Sequence, residues 1–181
     1  MIWVLAIAGV ACLYGLVRGG SLEGIAATKF RFVWLLFVGF VVQIGFTLWN
    51  PEWLTETGEL VVLVVSNALV ALFLATNLRL PGMLLAAGGL VLNVLVIAAN
   101  GGMPVSLEAA EVAGLDHELT DFGIKHEPLD DETIFPWIAD VIPLAGLSTL
   151  ISAGDILLAL GIGWLVYRRT IDEPHAETLE S

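Results

Sequence analysis

Charge is scarce in this chain, and basic charge most of all: 14% of its 181 residues are charged, and Lys and Arg together number 7. A soluble domain carries roughly 25% charged residues. With 19 acidic residues the formal net charge is -12, which argues against nucleic acid as a partner for the whole surface. The single cysteine, Cys12, excludes an internal disulfide, and its place in an apolar run marks it as a small packing residue. No basic segment precedes that first apolar run, and positive charge first appears after it, at Arg18. This order argues against a cleavable signal peptide and for a retained helix whose start lies outside. The sequence has no HExxH pattern, cysteine pair, phosphate loop, dinucleotide fingerprint, serine triad or kinase pattern, so no metal and no cofactor are expected.

Apolar residues are abundant instead, at 57%, with a mean hydropathy of +0.89. One small core cannot hide that much apolar surface, so the chain reads as an integral membrane protein. Five runs, 1–17, 32–49, 60–76, 82–99 and 152–167, are each about long enough to cross ~30 Å of hydrocarbon as a helix. Arg18 ends the first, Asn50 and Pro51 close the second, and Pro81 is placed to open the fourth. Gly88 and Gly89 in the fourth permit close approach of a neighbour, and Arg168 with Arg169 stop the fifth. The stretch 134–151 is apolar but holds Pro136, Asp140 and Pro143, and reads as a broken segment at the interface with Trp137 at headgroup depth. Within 100–133, residues 106–114 fit a short capped helix. The chain is thus one transmembrane domain over 1–169, with an outer segment 100–151 and a short, acidic, disordered tail at 170–181.

Basic residues set the expected orientation. With the N-terminus outside, Arg18, Lys29, Arg31, Arg79, Arg168 and Arg169 all fall in the cytoplasm, and only Lys125 lies outside. The expected fold is an all-α polytopic bundle of five spans, N-out and C-in.

Four groups of polar residues are candidates for function. Gln43, Ser66 with Asn67, and Asn93 lie near the middles of their spans, where they serve as interhelical glue or line a polar pocket. Asp155 follows Ser152 at capping-box spacing; if the helix starts nearer Gly146, it is instead a carboxylate inside the membrane. Lys125 and His126 form a positive spot in an acidic segment holding Asp116, His117, Glu118, Asp121, Glu127, Asp130, Asp131 and Glu132. They are suited to a headgroup phosphate, or to pairing with Asp140 and Asp155 as a closed lid or a ligand site. Asn100, Gly101, Gly102, Met103 and Pro104 mark the turn where the fourth span reaches the outer surface.

Asn100-Gly-Gly-Met-Pro104, Lys125-His126, Ala139-Asp140 with Ile142-Pro143, and Ser152 with Gly154-Asp155 occur here in that order. In this set the chain resembles an uncharacterised family of small bacterial multi-span membrane proteins, known as a domain of unknown function. The resemblance covers nearly the whole chain and implies a multi-pass protein of the bacterial plasma membrane whose outer segment packs on the bundle. It implies no activity. The leading functional class is a membrane protein that binds a small or lipidic ligand, or a membrane protein partner, at its outer face, in contact with membrane lipids. An enzyme acting on a lipid or isoprenoid substrate through Asp140, Asp155 and His126 is the alternative, and a small transporter the third.

Overall fold

A computed structural model describes residues 2–49, 55–115 and 126–172. Among these, the long apolar runs form helices, in which backbone groups bond within the segment. α1 covers Ile2–Val17, α3 Val33–Trp49, α4 Glu56–Thr76, α5 Met83–Asn100 and α7 Ala153–Ile171, with a one-turn α2 at Glu23–Ala26. The chain is mostly helical. Two helices, Thr57–Thr76 and Met83–Asn100, are long and apolar enough by length and composition to cross a membrane, and α1 and α3 are shorter apolar helices.

Helix ends depart from expectation where capping outweighs hydropathy. α4 begins earlier than the apolar run, because Thr55 caps it by accepting from the Gly58 N–H, so Glu56 and Glu59 are helical. Gly82, at φ +80°, is the residue before α5, so Pro81 stands in the turn and does not open the helix. α7 runs past Arg168 and Arg169, which complement the negative end of the helix dipole and sit in its last turn instead of stopping it.

Three close helix pairs build the bundle, and α4 packs on α5 to join them, with Phe73 and Leu74 in one core with Met83 and Leu90. α3 and α4 form an antiparallel pair in which Gly39 lies against the Ser66 carbonyl and Val70. α5 and α7 are antiparallel: Gly82 meets Gly161 and Leu165, Ala86 meets Gly161, and Gly89 meets Gly154 and Leu158. α1 and α7 run parallel, with Ile7 and Ala11 over Gly163, and Gly15 and Gly20 against Thr170. Small residues let these backbones approach closely. Leu35, Phe73, Leu74, Met83, Ala86, Leu90 and Leu165 form the buried core.

At one end of the bundle, Asn77 closes the α3–α4 pair. Its Oδ1 accepts from the Arg31 N–H (2.8 Å) and its Nδ2 donates to the Arg31 carbonyl (2.9 Å), so the side chain pairs with one backbone residue as a strand would. Ser21 donates its N–H to the Thr170 carbonyl at the same end. Arg18, Lys29, Arg31, Arg79, Arg168 and Arg169 therefore gather at this end, six of the chain's seven basic residues.

The opposite end carries a cap that is not helical throughout, a correction to the all-α expectation. Proline and β-branched residues between 134 and 151 favour short extended pieces joined by turns. β1 (Met103–Val105) pairs in parallel with β2 (His126–Pro128), Met103 opposite His126, and Val105 bridges to Asp140 on its other side. β3 (Ile142–Leu144) and β4 (Thr149–Ile151) form an antiparallel hairpin around a 3-10 turn at Ala145–Leu147. Gly146 lies in that turn and β4 stands between it and α7, so the final helix starts at Ala153. α6 (Leu107–Ala113), capped by Ser106 as its sequence indicates, lays Ala109, Ala110 and Ala113 against the hairpin. Residues 134–151 thus form no long helix.

Candidate functional site

The cap is fastened to the bundle by polar side chains at the ends of α5 and α7. Asn100, on the last turn of α5, repeats the device of Asn77: its Oδ1 accepts from the Ile134 N–H (2.8 Å) and its Nδ2 donates to the Ile134 carbonyl (2.9 Å). Beneath this link Val96, Met103 and Ala139 form a buried apolar cluster with Ile97, Leu129, Ile138 and Val141 around it. Gly101, at φ +77°, ends α5 and turns the chain into β1.

One α5 turn before Val96, Asn93 faces the start of α7. Asn93 Nδ2 donates to Asp155 Oδ1 (2.9 Å), while Ser152 Oγ donates to Asn93 Oδ1 (2.8 Å). Ser152 and Asp155 also complete a capping box: the Asp155 N–H donates to Ser152 Oγ (3.0 Å) and the Ser152 N–H to Asp155 Oδ2 (3.2 Å). Of the two readings of Asp155, the capped helix start is the one adopted, and Asn93 extends it across the helix seam. A carboxylate at a helix N-terminus is favoured by the dipole, and here both its oxygens are occupied.

Asp140 sits beside this network. Its N–H donates to the Pro104 carbonyl (3.0 Å) and its carbonyl accepts from the Ser106 N–H (3.1 Å), which fixes the residue between β1 and α6. Its residue surface is only 9% exposed. Burial, with a smaller repulsion from Asp155, pushes the Asp140 carboxyl from 3.8 up to about 7. Two carboxylates are thus brought near one another at the cap–bundle junction. Lys125 lies outside the described residues and His126 is described by its backbone alone, so their expected pairing with Asp140 and Asp155 lies outside them too. The same holds for Asp116, His117, Glu118 and Asp121.

The raised value has a consequence for stability. In the unfolded chain this carboxyl ionises near its ordinary value of 3.8, and in the fold only near 7. The folded state therefore holds the proton more tightly, and Asp140 contributes stability that is full below about pH 4 and lost as pH rises to about 7. Asp140→Asn should cancel this dependence. Against the wild type it should be about neutral at pH 4.5 and more stable at pH 8, by on the order of 3 kcal/mol, since one unit is worth about 1.4 kcal/mol. Melting temperatures of both proteins across that range check it, and parallel curves would contradict the account.

The polar residues expected near span centres divide. Ser66 Oγ and Asn67 Nδ2 donate to the Leu63 carbonyl of their own helix (3.0 and 2.8 Å), so the expected interhelical glue is met there by local back-bonding. Asn93 does bridge helices, and Gln43 lies on α3. Sequence reasoning missed Asn77, which reads as part of a short connection and whose partner, Arg31, is far away in the chain. Among the described residues no group of three or more His, Cys, Asp or Glu is arranged to hold a metal ion.

Residues 27–167 match a family of unknown function, DUF5317. An uncharacterized protein of Thermotoga maritima is 30% identical over 150 residues, which cover 79% of this chain and 78% of that protein. No solved structure matches. The matched region runs from the turn before α3 to near the end of α7 and so takes in Asn77, Asn93, Asn100, Asp140 and the Ser152–Asp155 box. The chain belongs to the DUF5317 family.

Proposed function

We propose that this chain is a five-crossing plasma-membrane protein, N-out and C-in, whose outer cap binds a lipidic ligand at the membrane surface. The apolar surface of the long helices supports the crossings: Val17, Leu48 and Leu84 are each more than 70% exposed, as are many neighbours to a lesser degree. Contiguous apolar surface on that scale belongs against hydrocarbon. Helix direction supports the orientation, because α1 and α7 run together, α5 runs against α7, and six basic residues end up on one side.

The observation that carries the binding role is an exposed apolar rim on the cap. Ile134, Phe135, Trp137 and Leu147 all face outward, and the rings of Phe135 and Trp137 meet edge to face at 6.0 Å. Phe135 holds a left-handed backbone (φ +60°) to open the following turn. The Trp137 indole, with an apolar body and one N–H donor, favours headgroup depth, and the Phe135 ring adds apolar surface beside it. The alternative, an enzyme acting on a lipid or isoprenoid, draws on the approach of Asp140 to Asp155; it is weakened because Asp155 is already engaged by Asn93 and Ser152.

A photoactivatable phosphatidylethanolamine in vesicles holding the full chain tests the binding role. Adducts are expected on residues 134–147 as well as on the helices, and Phe135→Ser/Trp137→Ser should lose the former alone. Adducts confined to the helices would contradict it.

A further inference from the structure

We infer that the groove between α1 and α7 is a binding site for an anionic phospholipid of the cytoplasmic leaflet, with an acyl chain along the groove and the headgroup phosphate at Arg18 and Arg168. The inference rests on the membrane reading above but concerns the opposite face of the protein from the cap.

The two parallel helices touch where Ile7 and Ala11 pass over Gly163 and again where Gly15 meets Thr170, and a groove of about 470 Å³ runs along this seam from Ala6 and Leu160 to Tyr14 and Tyr167. That volume lies within the roughly 300–1,000 Å³ of small-molecule sites. Its walls are almost wholly apolar, with Ala6 and Val10 on one helix and Leu160 on the other. From Ala6 to Tyr14 the helical rise gives a length of roughly 12 Å. Nothing polar along it competes for an alkyl chain.

The basic end of the groove is built differently. Tyr14 stacks on Tyr167 (centroids 5.6 Å apart) and Tyr167 packs on Trp164 (5.8 Å), so three amphipathic rings ring the mouth. The Arg18 guanidinium lies 6.0 Å from the centre of the Tyr14 ring, and that of Arg168 lies 5.9 Å from the Trp164 ring. Each arginine is therefore held over a wall of the groove. Arg18 Nη1 donates to the Tyr14 hydroxyl (3.4 Å), and Arg168 Nη2 lies 3.3 Å from Asp172 Oδ1. A guanidinium has five donors, so both keep capacity for phosphate oxygens. An apolar slot, an aromatic collar and two cations follow one another in the order of a phospholipid's tail, glycerol region and phosphate. Charge selects an anionic lipid over a neutral one, because a basic residue near an anionic surface is worth about fivefold in binding.

The test uses the full chain in phosphatidylcholine vesicles containing either acyl-brominated phosphatidylglycerol or acyl-brominated phosphatidylcholine. Bromine quenches a tryptophan it touches, and the difference between wild type and Trp164→Phe isolates the signal of Trp164. Phosphatidylglycerol should be preferred by about fivefold or more. Arg18→Gln/Arg168→Gln should bring the preference to about one. Asp172→Asn, which frees Arg168 from its competing carboxylate, should raise it, and this gain guards against a variant that merely misfolds. Equal quenching by both lipids, or a preference that survives loss of both arginines, would overturn the site and leave the membrane reading standing. No quenching by either lipid would overturn both.

Discussion

Gly89→Ala should destabilise the protein by about 2–3 kcal/mol, while Gly88→Ala, one residue earlier, should be neutral or stabilise it by up to about 1 kcal/mol. In a helix alanine is preferred to glycine by roughly the latter amount, so any loss must come from packing. A Cβ on Gly88 meets nothing within 4 Å. A Cβ on Gly89 collides with the Gly154 carbonyl and stands 2.7 Å from the Leu158 nitrogen and 3.2 Å from Leu157 Cβ. Two of these are backbone atoms of a packed helix and cannot swing aside, so the α5–α7 seam must open. Overpacking of that kind costs roughly 1–3 kcal/mol. Thermal melting of the two variants in a mild detergent separates them, and equal melting temperatures would mean that α5 and α7 are not in contact there.

Asn93→Leu should cost about 2–3 kcal/mol. Hydrogen bonds between membrane helices average only about 0.6 kcal/mol, because each partner usually finds a substitute. Here one amide serves two partners: a carboxylate oxygen and the hydroxyl of Ser152, which is fully buried. Removing it strands the hydroxyl proton and one lone pair of a charged group, and an unsatisfied buried group costs about 1–3 kcal/mol. Ser152→Ala alone should also destabilise. The double variant should lose less than the sum, because the two side chains act on one another. Additive losses would show that Asn93 and Ser152 are independent.

The helices were legible because each follows a long apolar run, and such runs are local in sequence. Charge order likewise anticipated which connections share an end. The Ser152–Asp155 box was legible from its spacing, whereas its third member was not: Asn93 is 62 positions from Asp155, and only the antiparallel seam of small residues brings them together. The same applies to Asn77 with Arg31 and Asn100 with Ile134, where a side-chain amide pairs with a backbone residue 46 or 34 positions away. The strands of the cap are three residues each, too short to show an alternating pattern, and β1 finds its partners, β2 on one side and Asp140 on the other, more than twenty positions away in the chain. Asn67 illustrates the converse. A polar residue in an apolar run must be satisfied, but the sequence does not say whether by a neighbouring helix or by its own carbonyl four residues back.

The most direct test of the five-crossing arrangement is labelling of single cysteines in intact cells by an impermeant thiol reagent. The background is Cys12→Ala, and the three positions are Ile25→Cys between α1 and α3, Leu115→Cys after α6, and Thr178→Cys in the tail. Labelling of position 115 alone is the predicted result, since it places the cap outside and the basic end within. Protection at 115 together with labelling at 178 would contradict the account.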